Sequence, residues 1–211
     1  MFEIEYKGAN CVIITTKKVK FITDPKLSIV GLKDVSTNGA FEIATESRFS
    51  LNEEDSNLTI EGPGEYGVAE FDIKGIACRR HIDSENDSLN STIYRIELGG
   101  VRIGLIGNIA DKLSDEQLEK LGVIDIMVVP VGGNGYTLSA TGAASLVSAI
   151  DPKIVIPIHY SDNSIKYEVP QDSLDLFVTE LGAPVEKVTK YKFKQLPVNQ
   201  TGISIIELAR S

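Results

Sequence analysis

Only two histidines, His81 and His159, occur in the 211 residues, and each stands where chemistry is often done. His159 closes the stretch Lys153-Ile154-Val155-Ile156-Pro157-Ile158-His159-Tyr160, an apolar run that reads as a buried strand with an imidazole at its mouth. His81 ends Gly75-Ile76-Ala77-Cys78-Arg79-Arg80-His81. Three further strand ends carry polar or glycine-rich groups: Thr23-Asp24-Pro25, Ile106-Gly107-Asn108, and Val129-Pro130-Val131-Gly132-Gly133-Asn134-Gly135. In chains that alternate strands, loops and helices, functional groups collect at such ends. A histidine at the mouth of a buried strand suits a metal ligand or a base. Each candidate also has a plain structural reading. His159 reads as a packing histidine bonded to backbone or a neighbouring loop, and His81 as an exposed residue ahead of the polar run Asp83-Ser84-Glu85-Asn86-Asp87. Asp24 reads as a turn former before proline.

The elements that must position these groups fall into two textures. Residues before Gly107 read as short strands with tight turns: Phe2–Tyr6, Cys11–Thr15, Val19–Thr23, Phe41–Ala44, Leu58–Ile60, Glu70–Cys78 and Thr92–Glu97. Gly99-Gly100 joins the last of these to Val101–Ile106 as a hairpin. From Ser114 the chain alternates helix and strand. Ser114 and Gln117 are spaced as a capping box for a helix over Asp115–Leu121, ended by Gly122. Ile124–Val129 and Ile154–Ile158 are continuous apolar runs, the pattern of strands covered on both faces. Helices are expected at Ala140–Ile150, stopped by Asp151-Pro152, and at Ser173–Leu181, stopped by Gly182. Strands Val185–Val188, Tyr191–Phe193 and Ile203–Leu208 follow. No low-complexity linker interrupts this order, so residues 1–211 read as a single α/β (α+β) domain with two sheets face to face and helices outside.

Composition narrows the function classes. A formal charge of −9 disfavours a nucleic-acid partner, since backbone phosphates would be repelled. The lysines at 187, 190, 192 and 194 alternate along strand-like sequence and read as a solvated face. No apolar run reaches the roughly 18 residues of a membrane span, and the acidic N-terminal stretch MFEIEYKGAN reads as no export signal. A cytoplasmic chain is therefore expected. Cys11 and Cys78 are distant in sequence, with no Cys-x-x-Cys, which excludes a zinc finger or a dithiol redox pair. Gly62-Pro63-Gly64-Glu65-Tyr66-Gly67 lacks the lysine of a phosphate loop and reads as a tight turn. The three glycines of Val131–Tyr136 permit close backbone approach by a substrate or an adjacent loop. A helix starting near Ser139 or Thr141 would offer its N–H groups to an anion.

Several phrases resemble the metallo-β-lactamase superfamily, in particular the small UlaG-like group of Zn-dependent hydrolases. They are Phe21-Ile22-Thr23-Asp24-Pro25, Gly62-Pro63-Gly64-Glu65-Tyr66, Thr92-Ile93-Tyr94-Arg95-Ile96-Glu97, and Leu118 through Tyr160. The resemblance covers nearly the whole chain. It implies an αββα sandwich of two mixed β-sheets flanked by helices, with the active site along one edge between the sheets. In that family a His-x-His-x-Asp-His loop, a later histidine, a Gly-Asp pair and a final histidine hold two zinc ions that share an activated hydroxide.

This chain departs from that signature. Aligned on Ser47–Glu53, the ligand loop has Arg48 and Ser50 for two histidines, Asn52 for the aspartate and Glu53 for the third histidine. Asn108 stands where the bridging aspartate belongs, and an amide carries no charge to bridge two cations. The family's N-terminal Gly-His-Ser-Cys reads Gly8-Ala9-Asn10-Cys11. Asp24, His81 and His159 remain, and the resemblance assigns the two histidines to different metals. A guanidinium at Arg48 would repel a divalent ion and instead pair with Asp24.

Three readings follow. The first is a metallo-β-lactamase-fold protein that has lost most zinc ligands and serves as a non-catalytic binding or assembly module, without cofactor, for an unknown small molecule or protein. The second is a hydrolase of phosphoester or lactone-type bonds with one zinc at Asp24, His81 and His159. The third is a metal-free enzyme using Arg48, Glu53 or Tyr160. No membrane partner is expected, and the resemblance implies a homo-oligomer.

Overall fold

The computed structural model describes residues 1–69, 71–82, 89–110, 112–196 and 202–211. Glu70, expected to start a strand, and the polar run at 83–87 lie outside the described residues. The strands are β1 (Phe2–Gly8), β2 (Cys11–Thr15), β3 (Lys20–Thr23), β4 (Phe41–Ala44), β5 (Leu58–Glu61), β6 (Gly64–Val68), β7 (Phe71–Cys78), β8 (Ser91–Leu98), β9 (Val101–Leu105), β10 (Ile126–Pro130), β11 (Ile154–Ile158), β12 (Val185–Val188), β13 (Tyr191–Phe193) and β14 (Ser204–Leu208). The helices are α1 (Asp115–Leu121), α2 (Ala140–Ile150) and α3 (Leu174–Leu181).

Two mixed sheets result. One runs β13-β1-β2-β3-β4-β5, the other β12-β14-β11-β10-β9-β8-β7-β6. In the first, β1, β2, β3 and β13 pair antiparallel while β3–β4 and β4–β5 are parallel. In the second, β6 through β9 are antiparallel and β9, β10, β11, β14 and β12 are parallel. The switch near Gly107 is the change of texture seen in the sequence. Strand β1 alternates buried and half-buried residues, as a strand with one face on the core does. Strands β10 and β11 are buried throughout, because sheet covers one face and helix the other.

The inner faces meet through Ile4, Ile14, Phe21 and Ile43 on one side and Ile73, Tyr94, Ile103 and Ile156 on the other. A second core lies between the larger sheet and the helices, with Met127, Val129 and Val155 against Leu121, Val147 and Phe177. Each such side chain contributes about 1.5–3 kcal/mol on burial. Outside the smaller sheet, Cys11, Ile13 and Ile22 are covered by Leu27 and Val30 of a 3₁₀ turn and by Ile165 of a loop. The sandwich is thus the one the resemblance implies, its layer outside the smaller sheet made of a 3₁₀ turn and loop among the described residues.

Local signals are realised closely. The Ser114 hydroxyl accepts from the Gln117 N–H while Gln117 reaches back to the Ser114 N–H, the full capping box. Asp151 closes α2 in the left-handed conformation (φ 52°) before Pro152. One expectation is corrected: Gly62–Gly67 is not only a turn, since Gly64–Val68 forms β6, paired antiparallel to β7. The turn itself is Gly62-Pro63, whose carbonyls take the Tyr66 hydroxyl, and Gly62 also takes that of Tyr94. Three of the four lysines are paired in place: Lys187 reaches Glu207, Lys190 reaches Glu3 and Glu5, and Lys192 reaches Glu3. Edge strands β12 and β13 are thereby charged, which discourages further pairing. No helix among the described residues is long and apolar enough to cross a membrane.

Candidate functional site

At one edge of the sandwich the ends of β3, β4, β9, β10 and β11 converge with the β1–β2 turn. Three non-glycine residues there are left-handed: Ala9 (φ 45°), Asp24 (φ 44°) and His159 (φ 51°). Such strain, about 1–3 kcal/mol per residue, persists where the surroundings impose it and clusters at functional edges. Gly107 is needed for closure: a Cβ there would lie 2.7 Å from the Thr45 side chain. The Thr92 N–H donates to the Thr45 carbonyl at 2.8 Å, tying β8 to the end of β4.

Asn10, Asp24, Glu46, Asn108 and His159 are among the polar residues buried at this edge, each no more than 5% exposed. Four form a chain. His159 Nδ1 is 2.8 Å from Asn10 Oδ1; Asn10 Nδ2 donates to Asn108 Oδ1 at 2.9 Å; Asn108 Nδ2 donates to Glu46 Oε1 at 3.4 Å. Glu46 Oε2 accepts from Arg48 Nε at 2.7 Å and from Arg80 Nη1 at 3.1 Å. Arg48 Nη2 donates to the Tyr136 hydroxyl at 2.8 Å, and Nη1 lies 3.6 Å from Glu168. Its guanidinium sits 4.6 Å from the Phe49 ring centre and 5.3 Å from that of Tyr136, within cation–π range. His159 is stacked on Tyr167 at 4.8 Å, and its backbone N–H donates to the Tyr6 hydroxyl at 3.1 Å.

Burial, with a lesser push from Arg48, lowers the His159 pKa to about 3, so the ring is neutral at pH 7. Burial raises Asp24 to about 8, against the opposing hydrogen bonds it accepts from Thr45 N (2.7 Å) and Thr45 Oγ1 (2.6 Å).

The sequence candidates separate on this geometry. Arg48, Asn108 and His159 share the network, and Asp24 lines one small cavity with His159. Arg48 does not pair with Asp24; it pairs with Glu46, which the turn Ser47–Phe49 brings beside it. Glu53 stands apart, accepting from Ser36 Oγ and Thr37 N on the far side of its loop. Ser50 turns away to Glu42. The Tyr160 hydroxyl points to the Leu208 carbonyl. His81 is half-buried, and among the described residues no three of His, Cys, Asp and Glu are gathered as a metal-holding group. The residues missed are Asn10, Glu46, Arg80, Tyr136 and Glu168. Glu46 carried a readable signal, an acid two residues past a buried strand end, but an alignment started at Ser47 passes it by.

The fit to two divalent ions is poor. Glu46 is engaged by two guanidiniums, Asp24 by Thr45 and His159 Nδ1 by Asn10, while Asn108 supplies no charge. The glycine loop after β10 serves its neighbours: a Cβ at Gly132 would strike the His159 carbonyl and Gln171. The Ser139 hydroxyl already caps α2 by accepting from Gly142 N at 3.1 Å.

A family model described as the beta-lactamase superfamily domain matches residues 3–159. The chain belongs to that superfamily. Proteins described as UPF0173 metal-dependent hydrolases resemble it: one from Thermococcus onnurineus is 33% identical over 101 residues, 46% of this chain and 45% of that protein. Another from Natranaerobius thermophilus is 23% identical, covering 87% of this chain and 99% of the relative. The chain thus spans under half the length of the first of these relatives. In fold it superposes on a Thermotoga maritima protein described as a Zn-dependent hydrolase of the metallo-beta-lactamase superfamily, with TM-score 0.78, 21% identity, and coverage of 99% and 100%. A metallo hydrolase from Ignicoccus hospitalis gives TM-score 0.67 at 15% identity, covering 92% of this chain and 99% of that one.

Two recesses compete for attention. One, about 770 Å³, lies between β7 and α1 and is lined by none of the buried network's own side chains. A smaller one of about 440 Å³ opens on Thr45, Glu46, Ser47, Arg48, Arg80 and Thr92. The second is the better candidate, because volume alone carries no chemistry whereas the buried Glu46 carboxylate and its partners Arg48 and Arg80 border it.

Proposed function

We propose that this superfamily member has exchanged its metal ligands for an internal network and works as a binding module, for a small molecule or protein, rather than as a metallohydrolase. The observation that carries the reading is the chain Glu46–Asn108–Asn10–His159, with Arg48 and Arg80 closing on Glu46. A carboxylate already balanced by two guanidiniums has little attraction left for a divalent cation, and the guanidiniums repel one. The recess of about 440 Å³ beside Arg48 is of a size that takes a small ligand. Self-association is an alternative use of the module.

The rival is a hydrolase of phosphoester or lactone-type bonds with one metal. It is favoured by the relatives described as metal-dependent hydrolases and by His159 Nε2, which is buried without a protein hydrogen-bond partner. Metal analysis of protein purified without chelators, with an absorption scan at the zinc edge, separates the two. The binding-module reading expects background metal and no turnover of phosphodiesters or lactones with added Zn²⁺ or Mn²⁺. Close to one zinc per chain, removed together with turnover by His159→Ala, would establish the hydrolase instead.

A further inference from the structure

The amide chain that ends at Glu46 also fixes which nitrogen of His159 carries the proton. Glu46 bears two salt-bridged guanidiniums and acts only as an acceptor toward Asn108. Asn108 must therefore turn its NH₂ group to Glu46 and its oxygen to Asn10. Asn10 in turn spends its NH₂ group on Asn108 and presents its oxygen to His159 Nδ1, 2.8 Å away. A carbonyl oxygen only accepts, so Nδ1 must be the N–H. The ring is 2% exposed and its Nδ1 faces a neutral amide, so a charged imidazole there would be buried without a counter-charge at that nitrogen; the neutral ring keeps a lone pair on Nε2.

That Nε2 is buried and has no protein partner, and His159 is 2% exposed. His159 lines a small cavity with Asp24, Asn10, Ala9, Leu27 and Phe49. About 10 Å³ of it is open to the centre of a water-sized guest, which is room for one water and little more. Lys26 also borders the cavity, an unfavourable neighbour for a cation. Each Asp24 oxygen holds one hydrogen bond from Thr45 and retains a lone pair for another.

We infer that His159 is locked as the Nδ1–H tautomer by the directional chain from Glu46, and that its bare Nε2 receives one water in the cavity it shares with Asp24. The water donates one hydrogen to Nε2 and bridges to the Asp24 carboxyl group, satisfying a buried acceptor that no protein group reaches. The water half of the inference rests on the metal-free reading above, since a metal would take the same lone pair; the tautomer half does not.

Nuclear magnetic resonance on the whole protein labelled with ¹⁵N-histidine tests both halves. With only two histidines, His81→Gln assigns the spectrum. Wild-type His159 is expected to show a pyrrole-type Nδ1 and a pyridine-type Nε2 at pH 7, with a cross-relaxation contact from a long-lived water to the ring proton beside Nε2. Asn10→Ala, which removes the acceptor, should lose the single-tautomer pattern, and Asn10→Asp should restore it. A pyridine-type Nδ1 in the wild-type protein overturns the tautomer assignment while leaving the metal-free reading intact. A protonated Nδ1 with no water contact overturns the water site alone. Displacement of the Nε2 signal by one equivalent of zinc sulfate overturns the water site and the metal-free reading together. The wild-type measurements decide even if the Asn10 variants fail to fold.

Discussion

Replacing Glu46 by glutamine tests the network at its centre. The Glu46 side chain is 1% exposed and balances Arg48 and Arg80, whose side chains are 30% and 22% exposed. Glu46→Gln keeps the shape and removes the charge, so two guanidiniums face a neutral amide. Removing one partner of a buried ion pair costs about 3–5 kcal/mol. Both arginines keep some solvent, and Arg48 also has Glu168 at 3.6 Å, so the loss should be smaller, about 2–3 kcal/mol. For a chain of this length that is a fall in Tm of roughly 4–12 °C. Urea unfolding followed by circular dichroism at pH 7 measures it. Glu5→Gln, which removes surface pairs with Lys7 and Lys190, is the control and should cost no more than about 1 kcal/mol. Adding Arg48→Met to Glu46→Gln should recover part of the loss, because it withdraws one of the stranded cations. If Glu46→Gln lies within about 0.5 kcal/mol of wild type, the carboxylate is not balancing those cations in solution, and the argument that it stands in for a metal site collapses.

Other expectations follow from the same edge. His159 occupies left-handed backbone (φ 51°), which asparagine tolerates and β-branched residues do not. His159→Asn should therefore cost less than about 1.5 kcal/mol and His159→Val clearly more, by the same unfolding assay. Asp24 has its folded pKa raised to about 8 from an ordinary 3.8, so the folded state holds the extra proton and stability from this group is lost as pH rises between those values. His159 acts oppositely: its folded pKa, lowered to about 3 from 6.5, costs stability as pH falls below 6.5. Asp24→Asn should flatten the loss between pH 5 and 8, seen as a Tm that no longer declines there; an unchanged slope would assign that decline to other groups. Tyr136→Phe removes the hydroxyl that accepts from Arg48 and should cost about 1 kcal/mol.

What the sequence determined by itself is what short-range physics controls. The buried runs of β10 and β11, the Ser114–Gln117 capping box, the Gly99-Gly100 hairpin and the Asp151-Pro152 helix stop each depend on neighbours a few residues away, and each is legible without a structure. So were the two-sheet architecture and the strand ends where Asp24, Asn108 and His159 sit. Strand β6 escaped because Gly64-Glu65-Tyr66-Gly67-Val68 has little apolar alternation and is held by its pairing with β7. The site was decided by tertiary structure. Asn10 and Asn108 meet across 98 residues and Asn108 and Glu46 across 62, and no local pattern encodes a contact made only when two sheets close on each other. The same closure brings Arg80 onto Glu46 across 34 residues, whereas Glu53, in the same loop, bonds back to Ser36 and Thr37.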